Sequence, residues 1–240
     1  MRRSVLGLAA ATVLLASSLV ACGDDPAPQE PVTPIDFCIG EDEQRDSGVT
    51  LTVPGTSSTV KGLIYGSGTS AVIFANQNNW SLCGWEHYPK DFATKGYLTA
   101  TFNYSNEADP DGDVLAFVDE VRRRGATTVI LLGASKGGTA VLSAGAKATP
   151  PVDGVISLSG PASFQRVSAQ AVMDGYPVPV LFMAARGDRP FGDDAQRLYD
   201  ACTQADKDII MRDGYDHGRD LLDEDGMAAV EEFLASHSRS

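Results

Sequence analysis

The chain has 240 residues, of which 43% are hydrophobic, and a formal charge of -13 from 19 basic and 32 acidic residues. This length and apolar content fit one globular domain with a substantial core, and they exclude a disordered chain and a coiled coil. The acidic balance argues against a nucleic-acid partner, because phosphate backbones are bound through clustered Lys and Arg.

The N-terminus, residues 1–21, has the pattern of an export signal, with Arg2 and Arg3 followed by an apolar run that ends in small residues. The run is too short for a membrane helix. Residues 19–22 read LVAC, which resembles the lipobox of bacterial lipoproteins, in which the cysteine thiol is acylated. The resemblance implies a lipid on Cys22, palmitate for example, and a protein anchored to the outer face of the bacterial cell membrane. The alternative is an ordinary secretory signal with an incidental cysteine.

The next segment, residues 22–36, is rich in proline and acidic side chains and has little to bury. Such a composition predicts a stiff, extended tether. We therefore expect the folded domain to span residues 37–240.

From residue 49 onward, short β-branched or apolar runs alternate with helical patterns. This alternation predicts an α/β fold with a mostly parallel, twisted sheet of about eight strands flanked by helices. Strands are expected near 49–53, 60–65, 71–75, 97–102, 127–132, 153–158, 179–184 and 207–211. Helices are expected near 86–95, 112–124, 137–148, 166–174, 193–203 and 224–236. Too few residues separate the sixth and seventh strands for a large cap domain.

A nucleophile elbow is predicted where the strand at 127–132 runs directly into a helical pattern. The junction, residues 133–138, reads GASKGG and contains Gly-x-Ser-x-Gly. In such a turn the serine takes a strained backbone that lifts its hydroxyl above the sheet, and Gly133 and Gly137 leave room where side chains would clash. Ser135 is therefore the candidate nucleophile. The alternative is a glycine-rich turn without chemistry.

With this elbow, residues 49–237 resemble the α/β-hydrolase family of serine hydrolases, which includes esterases, lipases and dienelactone hydrolases. The family places an acidic residue after a later strand and a histidine after the last strand. Those positions are filled here by Asp188, in the sequence ARGD, and by His217, in the sequence GYDHG. The resemblance thus implies a triad of Ser135, His217 and Asp188.

Elimination among the histidines gives the same base, because a serine nucleophile needs an imidazole to take its proton. The chain has three histidines. His237 lies in a polar tail, and His87 opens a helix beside aromatic residues, where a packing or surface role fits better. His217 remains. Asp193 and Asp194 are rivals of the predicted acid, but they stand at a helix start, where capping is the simpler role.

The resemblance also implies two donors for an oxyanion, one of them the backbone N–H of Lys136, directly after the nucleophile. The second comes from the loop after the strand at 71–75, where the family usually has His-Gly and this chain has Asn76 and Gln77. Asn78 falls at the donor position, and Gln77 is the second choice; the alternative is a solvated, amide-rich turn. The Lys136 side chain is interpreted as a solvated lysine at a helix start, in preference to an attractor of a substrate carboxylate.

Three cysteines remain in the domain, Cys38, Cys83 and Cys202, so at most one disulfide can form. The sequence does not choose the pair, although Cys38, in a loop-like segment, has most to gain from a crosslink. No cofactor or metal is predicted. The acids between Asp109 and Glu120 are spaced like a calcium loop, but a valine replaces the required glycine, so helix capping is preferred.

These patterns lead to one functional hypothesis, an exported, lipid-anchored serine hydrolase that cleaves a small-molecule or lipid-like ester through an acyl-enzyme. Trp80 and Trp85 are candidates for apolar walls of its open site, with core packing preferred for Trp85. A thioester, amide or peptide substrate is the first alternative. A non-catalytic cell-surface binding protein on the same fold is the second. The substrate and the oligomeric state stay open.

Overall fold

A computed structural model describes residues 35–85, 87–105 and 108–238. The predicted export signal, Cys22 and the tether up to residue 34 lie outside these residues. The strands are β1 (Gly48–Thr52), β2 (Thr59–Tyr65), β3 (Ser70–Ala75), β4 (Leu98–Asn103), β5 (Thr128–Ala134), β6 (Gly154–Leu158), β7 (Ser163–Phe164), β8 (Val167–Ser168), β9 (Val180–Ala185) and β10 (Lys207–Arg212). The helices are α1 (Glu41–Ser47), α2 (Tyr88–Thr94), α3 (Pro110–Arg123), α4 (Lys136–Lys147), α5 (Phe191–Ala201) and α6 (Glu224–His237).

Eight of the strands form one sheet in the order β1-β2-β4-β3-β5-β6-β9-β10. The entry strands β1, β2 and β4 pair antiparallel, and all pairs from β4 to β10 are parallel. The predicted α/β class and the mostly parallel sheet of about eight strands are confirmed. The carboxyl ends of the parallel strands therefore meet at one edge, where α/β sheets carry their sites.

Strand β5 at the centre of the sheet shows how the two faces are filled. Successive side chains point to opposite faces, so Val129 and Leu131 pack with α3 and α4, and Ile130 and Leu132 pack with α2 and α6. All four are at most 1% exposed. Burial on both faces explains why the strand reads as one continuous apolar run.

The helix predicted at 166–174 is not present. This segment forms β8, which pairs with β7 in a small hairpin, and then a 3-10 turn over Gln170–Val172. Gln165 has a φ of 52°, a left-handed conformation that closes the hairpin and that a helix start does not use. Helix α1, in contrast, was not predicted, because its seven residues include no buried side chain and so give no apolar periodicity.

A disulfide joins Cys38 to Cys83, with the Cα atoms 5.9 Å apart. It ties the segment before α1 to the loop after β3, and this choice of pair was open from the sequence. Ile35, assigned to the tether above, already packs beside Leu82. Among the described residues the remaining thiol is Cys202, which is buried; burial raises its pKa, so it is an unreactive core residue.

Within the described ranges, no helix is both long enough and apolar enough to span a bilayer.

Candidate active site

Ser135 stands at the tip of the turn between β5 and α4, at the carboxyl edge of the sheet. Its backbone has φ 51° and ψ -116°, outside the regions that ordinary residues favour. The Ser135 N–H donates to the carbonyl of Leu158 at 2.8 Å, and the Ser135 carbonyl accepts from Thr139 N at 3.2 Å. These bonds hold the strained residue from both sides, which is the geometry predicted for a nucleophile elbow.

The glycines around Ser135 are required by close backbone contacts. A Cβ on Gly133 would lie 2.2 Å from the carbonyl oxygen of Gly137, and one on Gly137 would lie 2.0 Å from the carbonyl oxygen of Ala75. A Cβ on Gly138 would lie 2.7 Å from the Cα of Gly160. The obstructing atoms belong to backbone, which cannot turn aside. A side chain larger than hydrogen therefore does not fit at these positions, as the sequence predicted for Gly133 and Gly137.

Asp188 and His217 meet as the resemblance implied. Asp188 Oδ2 lies 2.7 Å from His217 Nδ1, and the two side chains are 10% and 29% exposed. The ring of Phe191 lies against the imidazole, with a centroid distance of 4.3 Å. The imidazole is thus oriented through Nδ1, which leaves Nε2 for another partner.

The loop that carries His217 reaches the elbow through its next residue. Gly218 has a φ of 59°, and a Cβ there would lie 3.3 Å from the Cβ of Ala134, which precedes the nucleophile in the chain. The side chain of Gln77 closes the other side, since its Oε1 accepts from Arg219 N at 3.3 Å. Packing of Gly218 on Ala134 therefore brings the histidine loop to the serine turn.

The predicted oxyanion donors lie on two segments that also touch at the elbow. Lys136 is the first residue of α4, so its N–H is one of the amides at the start of that helix. Gln77 and Asn78 follow β3 in a turn closed by Trp80 N donating to Gln77 O at 3.4 Å. Asn78 is exposed, whereas the Gln77 side chain is held by the histidine loop. The choice between their two N–H groups stays a prediction.

The interpretation of Lys136 as a solvated lysine is wrong. Its side chain is 1% exposed, and Nζ lies 4.0 Å from the ring centroid of Tyr104 and 5.9 Å from that of Phe164. Contact with aromatic faces favours the cation in a buried place. Phe164 belongs to the unpredicted hairpin, so the sequence offered no sign of this cover over α4.

The residues weighed as rivals have other partners. Asp194 Oδ2 accepts from Ala162 N at 2.9 Å, and Asp193 pairs with Arg189 at 3.3 Å. Both lie in the first turn of α5. The expected capping role is wrong for both, because Pro190 occupies the cap position. His87 is exposed on the surface, as expected.

The acids that resembled a calcium loop also serve the fold. Asp111 accepts from Ser143 Oγ at 2.8 Å and pairs with Lys147, and Asp113 accepts from Ser105. In the part of the chain that the structure describes, no three potential ligand side chains form a metal site.

The two tryptophans differ in their environment. Trp85 is 1% exposed and packs edge-on against Phe74, so the preference for core packing is confirmed. Trp80 is 40% exposed and stacks under Arg219, whose guanidinium carbon lies 5.0 Å from the ring centroid. Trp80 also lines a groove of about 480 Å³ together with Phe37, a residue that sequence reasoning did not identify. A signal for Phe37 existed in its neighbour Cys38, whose disulfide holds it there.

Comparison with solved structures identifies the fold. An esterase from Pyrococcus furiosus matches with a TM-score of 0.69 and 15% identity over 83% of this chain and 97% of the other. The esterase RhEst1 from Rhodococcus matches with a TM-score of 0.64 and 14% identity over 80% of this chain and 100% of the other. A monoacylglycerol lipase from Paleococcus ferrophilus matches with a TM-score of 0.63 and 14% identity over 75% of this chain and 99% of the other. No protein-family model matches the sequence, and no curated protein does. This chain therefore has the α/β-hydrolase fold.

Proposed function

We propose that the chain is a serine hydrolase that cleaves a carboxylic ester by a triad of Ser135, His217 and Asp188. The observation that carries the proposal is the 2.7 Å contact of Asp188 with His217 on a loop that packs against a strained, glycine-lined Ser135 turn. The solved esterases and lipase of the same fold support the ester as substrate class.

The arrangement of the imidazole assigns the proton transfers. Asp188 holds the Nδ1–H of His217, so Nε2 is the nitrogen that takes the hydroxyl proton of Ser135. The oxygen of Ser135 then attacks the ester carbonyl, and the protonated His217 returns the proton to the leaving alcohol. Water, deprotonated by the same nitrogen, attacks the acyl-enzyme, releases the carboxylic acid and restores the serine.

Charge that develops on the carbonyl oxygen is stabilised by donors at the edge of the sheet. The N–H of Lys136 is the first, and its place at the start of α4 adds the favourable end of the helix dipole. The second is the N–H of Asn78 or of Gln77. The anchored Gln77 side chain supports this role, because it fixes the turn relative to the histidine loop.

The proposed enzyme acts at the cell envelope. Export on residues 1–21 and acylation of Cys22 place it on the outer face of the membrane, with residues 23–34 as spacer. The mass of the mature N-terminus tests this step: an acylated Cys22 supports it, and an unmodified N-terminus contradicts it.

The proposal is tested by ester hydrolysis and by labelling with a fluorophosphonate, which reacts only with an activated serine. We expect Ser135→Ala and His217→Ala each to lower kcat by about 10⁴-fold or more, and Asp188→Asn by about 10⁴-fold. His87→Ala is the matched control, because that imidazole is exposed on the surface.

Failure has a distinct signature. A chain that hydrolyses no ester and whose Ser135 is not labelled would contradict the proposal and favour a binding protein on this fold. Labelling without ester turnover would move the substrate to a thioester, an amide or a peptide, with the same triad.

A further inference from the structure

Arg219 lies two residues after the predicted base, His217, and its side chain is only 19% exposed. None of the proton transfers proposed above uses its guanidinium. A charged group that is mostly buried requires partners that replace the lost water. The partners of Arg219 therefore indicate which segments of the site it joins.

Three of the contacts of Arg219 reach the loop after β3. Its backbone N–H donates to Gln77 Oε1 at 3.3 Å, its guanidinium carbon lies 5.0 Å from the ring centroid of Trp80, and its Nη1 donates to Gly84 O at 2.9 Å. Gln77 is two residues beyond the end of β3, whereas Gly84 belongs to a 3-10 turn at Leu82–Trp85. One residue of the histidine loop thus contacts the loop after β3 at its beginning, in its middle and near its end.

The turn that carries the two candidate oxyanion donors depends on these contacts. Asn78 is exposed, and the turn from Gln77 to Trp80 is closed by Trp80 N donating to Gln77 O at 3.4 Å, longer than a usual backbone bond. Asn76 Nδ2 donates to Trp80 O at 3.2 Å. Arg219 adds a bond at the first residue of this turn and a ring contact at its last. The positions of the donors are therefore tied to the histidine loop.

The chemistry of a guanidinium suits this role. The group is planar, so one face stacks on an aromatic ring while the N–H groups in its plane donate to a carbonyl oxygen. At Arg219 the ring is that of Trp80 and the carbonyl is that of Gly84. The ammonium of a lysine is a point charge without this geometry. Arg219 therefore holds two parts of the loop after β3 at once.

We propose that Arg219 is a positioning residue, which keeps the N–H of Asn78 or Gln77 in the place where it stabilises the oxyanion. The inference rests on the proposed hydrolase function and adds to it a residue that acts only through others. The donors interact most strongly with the carbonyl oxygen when it carries charge, in the transition state. Loss of Arg219 therefore lowers kcat and leaves KM nearly unchanged.

The first test measures hydrolysis of ethyl acetate by Arg219→Ala. Removal of an oxyanion donor costs about 100-fold or more in kcat, so displacement of one should cost about tenfold. We expect KM to stay within about twofold of that of the parent chain. The pH profile should not move, because Asp188 still holds His217.

Two results of this test would contradict the positioning role. An unchanged kcat would show that the donors do not depend on Arg219. A lower kcat with a shifted pH profile would assign Arg219 to the imidazole of His217 and not to the loop after β3.

Trifluoroacetone tests the donors themselves. The oxygen of Ser135 adds to the ketone carbon, the hydroxyl proton passes to Nε2 of His217, and the former carbonyl oxygen becomes an oxyanion. The affinity for the ketone thus contains the oxyanion interaction. We expect Arg219→Ala to raise the inhibition constant by about tenfold, in parallel with the loss of kcat. A reduced kcat with an unchanged inhibition constant would overturn the proposal.

Arg45→Ala is the matched control. The side chain of Arg45 is 31% exposed and pairs with Asp42 on α1, which packs against β1 and β2 at the edge of the sheet. It removes the same group from a place away from the elbow. We expect kcat, KM and the inhibition constant of this variant to stay within about twofold of the parent values.

A double-mutant cycle shows whether Arg219 acts through Trp80. Trp80→Leu removes the ring on which the guanidinium lies. Both changes release the same turn, so we expect the double variant to lose clearly less kcat than the product of the two single effects. Effects that multiply fully would overturn the proposal, because the two residues would then act independently.

Fluorescence tests the contact without turnover. The chain has two tryptophans, and Trp85 is 1% exposed, so acrylamide quenches chiefly Trp80. Arg219→Ala uncovers one face of the Trp80 ring, and we expect the quenching constant to rise. Equal quenching in the parent chain and the variant would overturn the positioning role. A parent chain that hydrolyses no ester and binds no ketone would instead contradict the proposed function.

Discussion

The turn that presents Ser135 and the loops that carry its partners are held by different kinds of contact. The turn is fixed by backbone, because Gly133 and Gly137 pack directly on carbonyl oxygens. The loop after β3 is held by the disulfide at Cys83, and the His217 loop lies between two ends joined by an ion pair of Arg212 and Asp223. The turn thus depends on glycines, which have no side chain, whereas the loops depend on side chains that join distant segments.

This difference has a consequence for function. The strained turn tolerates almost no substitution, so its geometry is the same for any substrate. The loops can change their aromatic residues without disturbing the turn, because the glycine contacts of the turn do not involve them. We therefore expect mutations in the turn to change the rate for every ester, and mutations in the loops that spare the contacts of Arg219 to change the preference among esters.

Among the changes that test this difference between turn and loops, Gly137→Ala has the largest expected effect. The new methyl group would lie 2.0 Å from the carbonyl oxygen of Ala75, so either β3 or the start of α4 must move. We expect the free energy of unfolding to fall by about 3 kcal/mol. Because this movement displaces Ser135, kcat/KM should fall by about 100-fold for short and long esters alike. Urea unfolding and ester hydrolysis measure the two effects.

Gly40→Ala is the control, because a Cβ at that position has no heavy atom within 4 Å. Its effect on stability is expected to stay within about 0.5 kcal/mol. Gly137→Ala that is as stable and as active as the parent chain would show that the elbow does not need its glycine.

The elbow could be predicted from the sequence because all its determinants are local. The apolar run of β5, the glycines and the helix that follows lie within twenty consecutive residues. Each of them is required by the backbone geometry of the turn. The strand predicted at 127–132 is observed at Thr128–Ala134, and the helix predicted at 137–148 at Lys136–Lys147. The contact of Asp188 with His217 was reached through a resemblance, since nothing local joins residues 29 positions apart.

What could not be predicted depends on contacts between distant segments. The choice of Cys83 as partner of Cys38 requires the position of the loop after β3 relative to β2. The burial of Lys136 requires Phe164, whose hairpin is fixed by one left-handed residue, Gln165. The Phe37 groove requires the disulfide. In each case the sequence shows the residue, and the fold alone shows its partner.

Removal of the disulfide by Cys38→Ser with Cys83→Ser is expected to have the next largest effect. The cysteines are 45 residues apart, and the lost constraint on the unfolded chain is worth about 2–4 kcal/mol. The elbow does not use this crosslink, so hydrolysis of ethyl acetate should change little while the double variant is folded. Urea unfolding and kcat/KM for ethyl acetate measure both effects.

A reductant gives the matched comparison. Among the described cysteines the one left unpaired is Cys202, which is buried. Reduction should therefore destabilise the parent chain and leave the double variant unchanged. A reductant that destabilises both equally would show that the loss comes from another source.

The smallest expected effect concerns the ion pair that joins the ends of the His217 loop. Arg212 ends β10, and Asp223 caps α6 by accepting from Gly226 N at 2.9 Å. The guanidinium of Arg212, followed by the N–H of Gly226, lowers the pKa of Asp223 from 3.8 to about 2. A lowered pKa means that the carboxylate stabilises the fold above about pH 4, and that this contribution is lost as the pH falls towards 2.

Asp223→Asn keeps an oxygen for the cap but removes the charge, so it should lower Tm at pH 7, and the difference from the parent chain should disappear near pH 2. Thermal unfolding at several pH values measures it. Asp213→Asn is the control, because it removes an exposed carboxylate from the same loop. The Asp213 carboxylate lies 3.7 Å from the guanidinium of Arg186. A difference for Asp223→Asn that persists at pH 2 would assign the effect to the helix cap instead, because at that pH the ion pair no longer favours the parent chain.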